Sequence, residues 1–415
     1  MGQTAEKTIA FLSKPYHKGG VTRWVVDLAV FMSNMPGWKV YFLVIEPTHP
    51  FNIGDNKETA LDLLKKQEHK LIMETVRCGY EFEFGGRPYI VDVYRNLMLR
   101  LPQGTPIVIA DTDVMWEASA SVAHLYPIIP VAHGDYGHYY DLMKKYANEF
   151  SLFVGVSNRI RDTFLANNPN VPKERAVAIP CGTPLPEFRP VKTQGDGVVR
   201  LVFLGRFEAP EKRAADLIAI SELLHRKGIA FHLDIIGNSV ASEKTFGDLF
   251  KEKGLRDFVT FNGWQSRPQI EDILFASDIL LLNSNYEGFP LVLMEAMACG
   301  CGFIGTRVSG VEDYEFDPRG QDCLRVYTVG DFDDVVQKIE ELSAVPKATR
   351  ATAARALAEA EFSLEVCANK YATALDRLTI RGIKARPYNF PLTHKVKSYL
   401  IGHLRGLKFR LRKAR

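Results

Sequence analysis

Apolar residues along this chain fall into two alternating patterns. Short runs rich in β-branched and aromatic residues predict strands: "TIAFLS" at 8–13, "KVYFLVI" at 39–45, "PIVIA" at 106–110, "IIPVAH" at 128–133 and "LFVGVS" at 152–157. Between the first two, "VTRWVVDLAVFMSNM" brings apolar residues back every three or four positions, the spacing of a helix with one buried face. Strand, helix, strand in that order builds parallel sheets with crossover helices. At 188–200 the pattern stops, because "FRPVKTQGDGVVR" mixes proline, glycine and charge without a period. It then restarts with "VRLVFLG" at 199–205, "FHLDIIG" at 231–237, "VTFNG" at 259–263, "ILLLNS" at 279–284 and "CGFIGT" at 301–306. The expected fold is α/β, with two doubly wound Rossmann-like domains whose parallel sheets face a central cleft. The domains are residues 1–188 and 199–380, joined by a linker at 189–198 and followed by a tail at 381–415. Ligands in such sheets bind at the carboxyl ends of the strands.

Composition narrows the class. A chain of 415 residues suits two domains, each large enough for its own core. At 46% hydrophobic and 24% charged residues it is neither disordered nor fibrous. The beginning, "MGQTAEKTIAFLSK", lacks a basic lead and a cleavable apolar region, and no run reaches the roughly 18 apolar residues of a membrane span. The six cysteines show no CxxC or metal-type spacing, so a cytoplasmic protein with reduced thiols is expected. The net charge of +3 hides an asymmetry. From Arg377 to Arg415 there are twelve Lys or Arg and no Asp or Glu; removing twelve from 52 leaves 40 basic against 49 acidic residues, a body of −9.

The candidate chemistry follows strand ends. Gly19 and Gly20 in "KPYHKGGVTRW" precede a helix, where backbone N–H groups can approach an anion beside the positive end of the dipole. A tight turn is the alternative reading of such a pair. In "GRFEAPEKR", Arg206 and Lys212 supply the countercharge that a diphosphate needs. In "NYEGFPLVLMEAMACG" the loop around Gly288 and Phe289 opens a helix with Pro290 as its first residue and Gly300 as its stop. Glu287 is then at the mouth and Glu295 about 7–8 Å along the helix from Pro290. Each carboxylate could accept hydroxyls on its own side of an anion held by the helix terminus, or be a loop charge and a helix residue paired elsewhere.

Together these residues resemble the retaining family 4 glycosyltransferases of the GT-B fold, over roughly residues 8–378. The matching pieces are "KGGVTRW", "LGRFEAPEKR", "IIGNS", "FNGW" and "NSNYEGFPLVLMEAMACGCGFIGTRVSG". The resemblance implies that Arg206 and Lys212 bind the donor diphosphate and that Glu295 binds the ribose. It implies that Glu287 contacts the transferred sugar, with Gly19 and Gly20 approaching from the other domain. It places Gly237, Gly288, Phe289, Pro290 and Leu291 along the donor, His133 near the donor sugar, and Gly182 at the turn before the linker. By the same resemblance the donor is a nucleoside-diphosphate sugar, UDP rather than GDP, with no cofactor and no metal. Departures are Asn283-Ser284 where the family has Pro-Ser, "IGNS" for its Gly-Asp-Gly turn, and Cys181-Gly182 for Asn-Gly.

Other readings predict different outcomes. Asp111-x-Asp113 has the spacing of metal-holding carboxylates in one-domain glycosyltransferases, but Arg206 and Lys212 already fill that role. A glycoside hydrolase would need Glu287 and Glu295 to flank one bond. A sugar-nucleotide epimerase would need no acceptor, and a non-catalytic carbohydrate-binding relative would turn nothing over. The aromatics of "AHGDYGHYYDL" and "YEFEFGGRPYI" suit sugar rings or packing equally. In the tail, Val396, Leu400, Leu404, Leu407 and Leu411 recur at spacings of three and four among Lys and Arg. That pattern fits a helix on an anionic membrane surface, the cytoplasmic face of an inner membrane, with a lipid-linked sugar acceptor, or a terminal helix returning to the first domain. The acidic body argues against nucleic acid.

Overall fold

A computed structural model describes residues 6–15, 20–48, 59–79, 82, 84–110, 113–189, 196–206, 210–237, 240–378, 383–387 and 391–413. The chain divides into two compact units, Met1–Ile179 with Cys367–Arg415, and Pro180–Val366.

The first unit carries β1 Lys7–Leu12, β2 Trp38–Pro47, β3 Ile72–Cys78, β4 Ile107–Ile109, β5 Ile128–Ala132, β6 Phe153–Gly155 and β7 Ala176–Ala178. Its helices are α1 Gly20–Asn34, α2 Ala60–Leu64, α3 Arg87–Met98, α4 Val114–Ala120, α5 Gly137–Tyr146 and α6 Asn158–Asn167. The strands form one parallel sheet in the order β3-β2-β1-β4-β5-β6-β7. In the second unit β8 Val199–Leu204, β9 Phe231–Ile236, β10 Val259–Gly263, β11 Ile279–Leu282, β12 Gly302–Thr306 and β13 Leu324–Tyr327 pair in parallel as β10-β9-β8-β11-β12-β13. Around them run α7 Asp216–Arg226, α8 Val240–Glu252, α9 Arg267–Ala276, α10 Leu291–Ala298, α11 Phe332–Ala344 and α12 Lys347–Leu357. The division between the units falls within α13, Leu364–Leu375, and α14, Leu392–Lys413, ends the first unit.

Central strands are buried along almost their whole length, as sheets covered on both faces require: β4, β5, β11 and β12 are buried at every position. This is why they read as unbroken apolar runs in the sequence. The three strands the pattern does not announce, β3, β7 and β13, are all sheet edges. β3 carries Glu74, Thr75 and Arg77 and is mostly half-buried, and β7 and β13 have three and four residues, too few to show a period. Expected runs also shorten at their ends: "ILLLNS" leaves the sheet at Leu282, "LFVGVS" at Gly155 and "PIVIA" at Ile109.

Strand order reverses between β1 and β4 in one sheet and between β8 and β11 in the other. At such a switch point the following loops part and leave a crevice at the carboxyl ends.

All six cysteines are buried. Burial pushes the Cys301 and Cys323 thiols up to about 12, so the reactive thiolate is scarce at neutral pH. A disulfide reagent at pH 8 is expected to label the native chain slowly and all six thiols at once in denaturant; prompt labelling of native protein would contradict this burial. Among the described residues no helix is long and apolar enough to cross a membrane.

Candidate functional site

In the second unit the candidate residues gather at the β8/β11 switch point. β8 ends at Leu204 and is followed by Gly205, and the chain reaches a short 3-10 turn, Pro210–Lys212, before Arg213 takes a left-handed φ of 47°. A non-glycine residue in this region is strained. Here it is held by the Arg213 guanidinium, whose Nε donates to Asp216 at 2.7 Å and whose Nη2 donates to it at 3.1 Å. That bend aims Lys212 at the loop following β11.

Lys212 Nζ donates to Glu287 Oε1 at 2.5 Å, and Ser284 Oγ donates to the same oxygen at 2.6 Å. The side chains of Lys212 and Glu287 are only 21% and 13% exposed, so the pair is shielded from water on most sides. Arg206 behaves differently. Its side chain is 72% exposed and its Nη2 donates to Glu211 at 2.9 Å. The sequence reading assigned both cations to one diphosphate; each is engaged here with its own carboxylate.

The loop from Asn283 to Pro290 is braced by its neighbours. The Asn285 amide donates to the Glu211 carbonyl at 2.8 Å, Thr306 Oγ1 to the Ser284 carbonyl at 2.6 Å and Ser309 Oγ to the Gly288 carbonyl at 2.9 Å. Gly310, at φ 83°, lies so close to Phe289 that a Cβ there would stand 2.9 Å from the Phe289 Cα. Phe289 is buried, with its ring 5.7 Å from Phe362 and 6.4 Å from Tyr314. Its side chain therefore anchors the loop, and its contribution to an anion would come from its backbone. Asn283, standing where the family motif has proline, is fully buried and accepts a 2.8 Å bond from the Tyr327 hydroxyl of β13.

Helix α10 begins one residue later than expected. Pro290 is extended, with ψ at 113°, and caps the helix, so that Leu291 is its first residue. No side chain caps this end, and its first N–H groups point into the loop that carries Glu287. Glu295 is half-buried on the second turn, about 6 Å along the axis from Leu291. The helix stops at Gly300, whose φ of 72° is the left-handed exit that glycine tolerates.

Gly237 closes the neighbouring strand end. It has φ 126°, its amide donates to Gly263 at 2.9 Å, and a Cβ would fall 2.2 Å from the Gly205 carbonyl oxygen. The carboxyl ends of β8 and β9 meet there with no space for a side chain.

Gly20 and His133 lie in the first unit. Gly20 opens α1, and His133, half-buried after β5, packs edge-on against Trp24 of that helix at 4.8 Å between ring centroids. Gly19 and Asp111 lie outside the described residues. Asp113 is engaged by Arg87, which donates to it at 2.7 Å and to Glu117 at 2.5 Å. Among the described residues no three His, Cys, Asp or Glu are grouped as metal ligands. Of the first-half aromatics, Phe82 and Tyr139 are buried and Tyr136 is 44% exposed. Gly182 is buried before the Thr183–Ser363 bridge.

Ser284, Thr306 and Ser309 were quoted within the motif but given no role in the sequence reading, and Glu211 was not singled out. Their partners lie three to 74 positions away, and such bonds leave no period to read.

Residues 186–356 match the family model described as Glycosyl transferases group 1. Among curated proteins, the chain is 39% identical to N-acetyl-alpha-D-glucosaminyl L-malate synthase of Bacillus anthracis over 23% of this chain and 25% of that protein. It is 29% identical to D-inositol 3-phosphate glycosyltransferase of an Arthrobacter species over 42% of each. These alignments span less than half the length of the curated relatives. Among solved structures, HepE of Anabaena in complex with UDP and glucose superposes with a TM-score of 0.66 at 18% identity, covering 90% of this chain and all of that one. Sucrose-phosphate synthase of Thermosynechococcus elongatus gives 0.67 at 19% identity over 89% and 98%. At these identities the likeness establishes the fold, which is GT-B with two Rossmann-like units. The resemblance to GT-B glycosyltransferases read from the motifs stands.

Proposed function

We propose that this chain is a retaining glycosyltransferase that moves a hexose-type sugar from a nucleoside-diphosphate sugar to a hydroxyl of a glycan or lipid-linked acceptor. The observation that carries the reading is the Lys212–Glu287–Ser284 cluster set against the uncapped start of α10 at the β8/β11 switch point. One cation, one carboxylate and a row of backbone donors suit a diphosphate esterified to a sugar. The structural relative bound to UDP and glucose favours a UDP-sugar over a GDP-sugar, and the setting in this reading is surface polysaccharide or glycoconjugate assembly.

In this reading a diphosphate at the α10 terminus competes with Glu287 for the Lys212 ammonium. Lys212 turns to the phosphate, and Glu287, still held by Ser284, accepts a hydroxyl of the transferred sugar. Bond breaking leaves negative charge on the nucleoside diphosphate, which Lys212, Arg206 and the helix dipole stabilise where it develops. In this reading the acceptor attacks from the leaving-group face, with the departing phosphate accepting its proton, which gives retention. Glu295 meets the ribose. The reaction uses no metal, since side-chain cations supply the countercharge.

The enzyme works on the cytoplasmic face of a membrane, where lipid-linked sugars are presented. A panel of UDP- and GDP-sugars scored by thermal shift, followed by transfer to candidate acceptors with and without EDTA, tests the reading. Stabilisation by a UDP-sugar and EDTA-insensitive transfer with retained anomeric configuration are expected. Conversion of the nucleotide sugar without any acceptor would replace transfer with epimerisation or hydrolysis, and no response to any nucleotide sugar would refute the site.

A further inference from the structure

The terminal helix α14 shows which of its faces is free. It packs on α3 through small residues: Ser398, Gly402 and Gly406, spaced by four, are buried. Gly86, at the start of α3, sits so close that a Cβ would lie 2.5 Å from Ser398 Oγ, and its amide donates to the Ser398 carbonyl at 3.4 Å. Lys395 Nζ pairs with Asp92 at 2.8 Å, and the Tyr399 ring meets Tyr89 edge-on at 5.4 Å. The seam is thus built from backbone approach and polar pairs.

The long apolar side chains point the other way. Val396, Leu400, Leu404 and Leu407 are 48%, 51%, 65% and 44% exposed. With about 100° of turn per residue, the four span roughly 80° of the helix circumference, and the Ser398–Gly402–Gly406 seam lies on the far side. Lys397 and Lys408, both exposed, lie roughly 20–40° beyond one edge of the stripe, with exposed Arg405 farther round, and exposed His403 lies about 20° beyond the other edge. A helix returning to its own domain buries its leucines and exposes its small residues. This one does the reverse.

We infer that α14 is a preformed membrane-docking helix whose Val396–Leu400–Leu404–Leu407 face enters the headgroup region of an anionic bilayer. The occupant follows from charge. The helix carries no Asp or Glu and has Lys397 and Lys408 along one edge of the stripe, so a negatively charged surface that also accepts apolar side chains is the complement. Each Lys or Arg near such a surface adds electrostatic attraction, and the leucines add apolar burial in the plane of the interface. Because the seam with α3 fixes the face beforehand, docking requires no folding of the tail. The inference is independent of which sugar is moved.

The test is flotation of the full chain with phosphatidylcholine vesicles, with and without about one-third phosphatidylglycerol. Flotation with the anionic vesicles only, weakening as salt rises, is expected. The pair Leu400→Glu with Leu404→Glu should reduce it at least tenfold while leaving the thermal midpoint unchanged, because both side chains are exposed. The triple Lys397→Gln, Arg405→Gln, Lys408→Gln should reduce it as well. Equal flotation with neutral vesicles, or undiminished flotation of both variants, would overturn the proposal. So would loss of self-association in the glutamate variant without change in flotation. A rise in helix content on adding vesicles would overturn the preformed face.

Discussion

Lys212→Ala is expected to lower kcat for sugar transfer by about 10²–10³, the scale seen when one preorganised charge-stabilising donor is removed from a transition state. Lys212 lies on a surface turn, and its partner Glu287 keeps the Ser284 hydroxyl, so the fold should survive. Glu287→Gln separates the two roles proposed for the pair. It leaves Lys212 free for the phosphate and removes only the negative charge facing the sugar, so kcat should fall while donor affinity holds or rises. Steady-state kinetics with a donor found by thermal shift, alongside binding of the nucleoside diphosphate, checks both variants. Retention of more than a tenth of wild-type kcat by Lys212→Ala would remove Lys212 from the machinery.

The second large effect concerns stability. Arg350 on α12 is 3% exposed, and its Nη2 donates to Asp278 Oδ1 at 2.9 Å while its Nη1 donates to the Leu342 and Val345 carbonyls at 2.9 and 3.1 Å. Asp278, just before β11, also accepts the Arg200 amide at 2.9 Å and faces Lys347 at 3.1 Å. One carboxylate thus joins β8, the entrance to β11 and α12. Arg350→Ala removes one partner of a buried ion pair and takes its guanidinium from the Val345 and Leu342 carbonyls, the latter keeping the Val345 amide, a loss of about 3–5 kcal/mol. For a unit of this size that lowers the melting temperature by roughly 6–20 °C. The Arg350 stem packs on Gly302, where a Cβ would stand 2.9 Å from Cδ, so Arg350→Met restores packing without charge. Chemical denaturation of the three proteins separates the parts. If alanine costs less than 1 kcal/mol, Asp278 is adequately held by Lys347 and Arg200 alone.

Much of this architecture was legible because central strands of a covered parallel sheet are largely apolar and need no partner to be recognised. The edges were not, since β3 interleaves polar residues and β7 and β13 are too short. Pro290 shows the limit of a local rule: proline suits the first helical position, but its ψ of 113° places it as the cap. In the site, Glu287, Lys212, Gly237 and the glycine-bounded α10 could be read from motif spacing. The pairing of Lys212 with Glu287 could not, because 75 positions separate them and only the strand order brings them together. The Asp278–Arg350 pair, 72 positions apart, was invisible for the same reason.

The bracing of the loop after β11 has a consequence for altering this protein. Thr306, Ser309 and the Glu211 carbonyl all grip its main chain, while Phe289, Glu287, Asn283, Ser284 and Asn285 commit side chains. Three of these bonds end on main-chain groups of Ser284, Asn285 and Gly288, which persist whatever side chains those positions carry. The frame around Glu287 is therefore reshaped most directly by exchanging Thr306 or Ser309, which lie outside the loop.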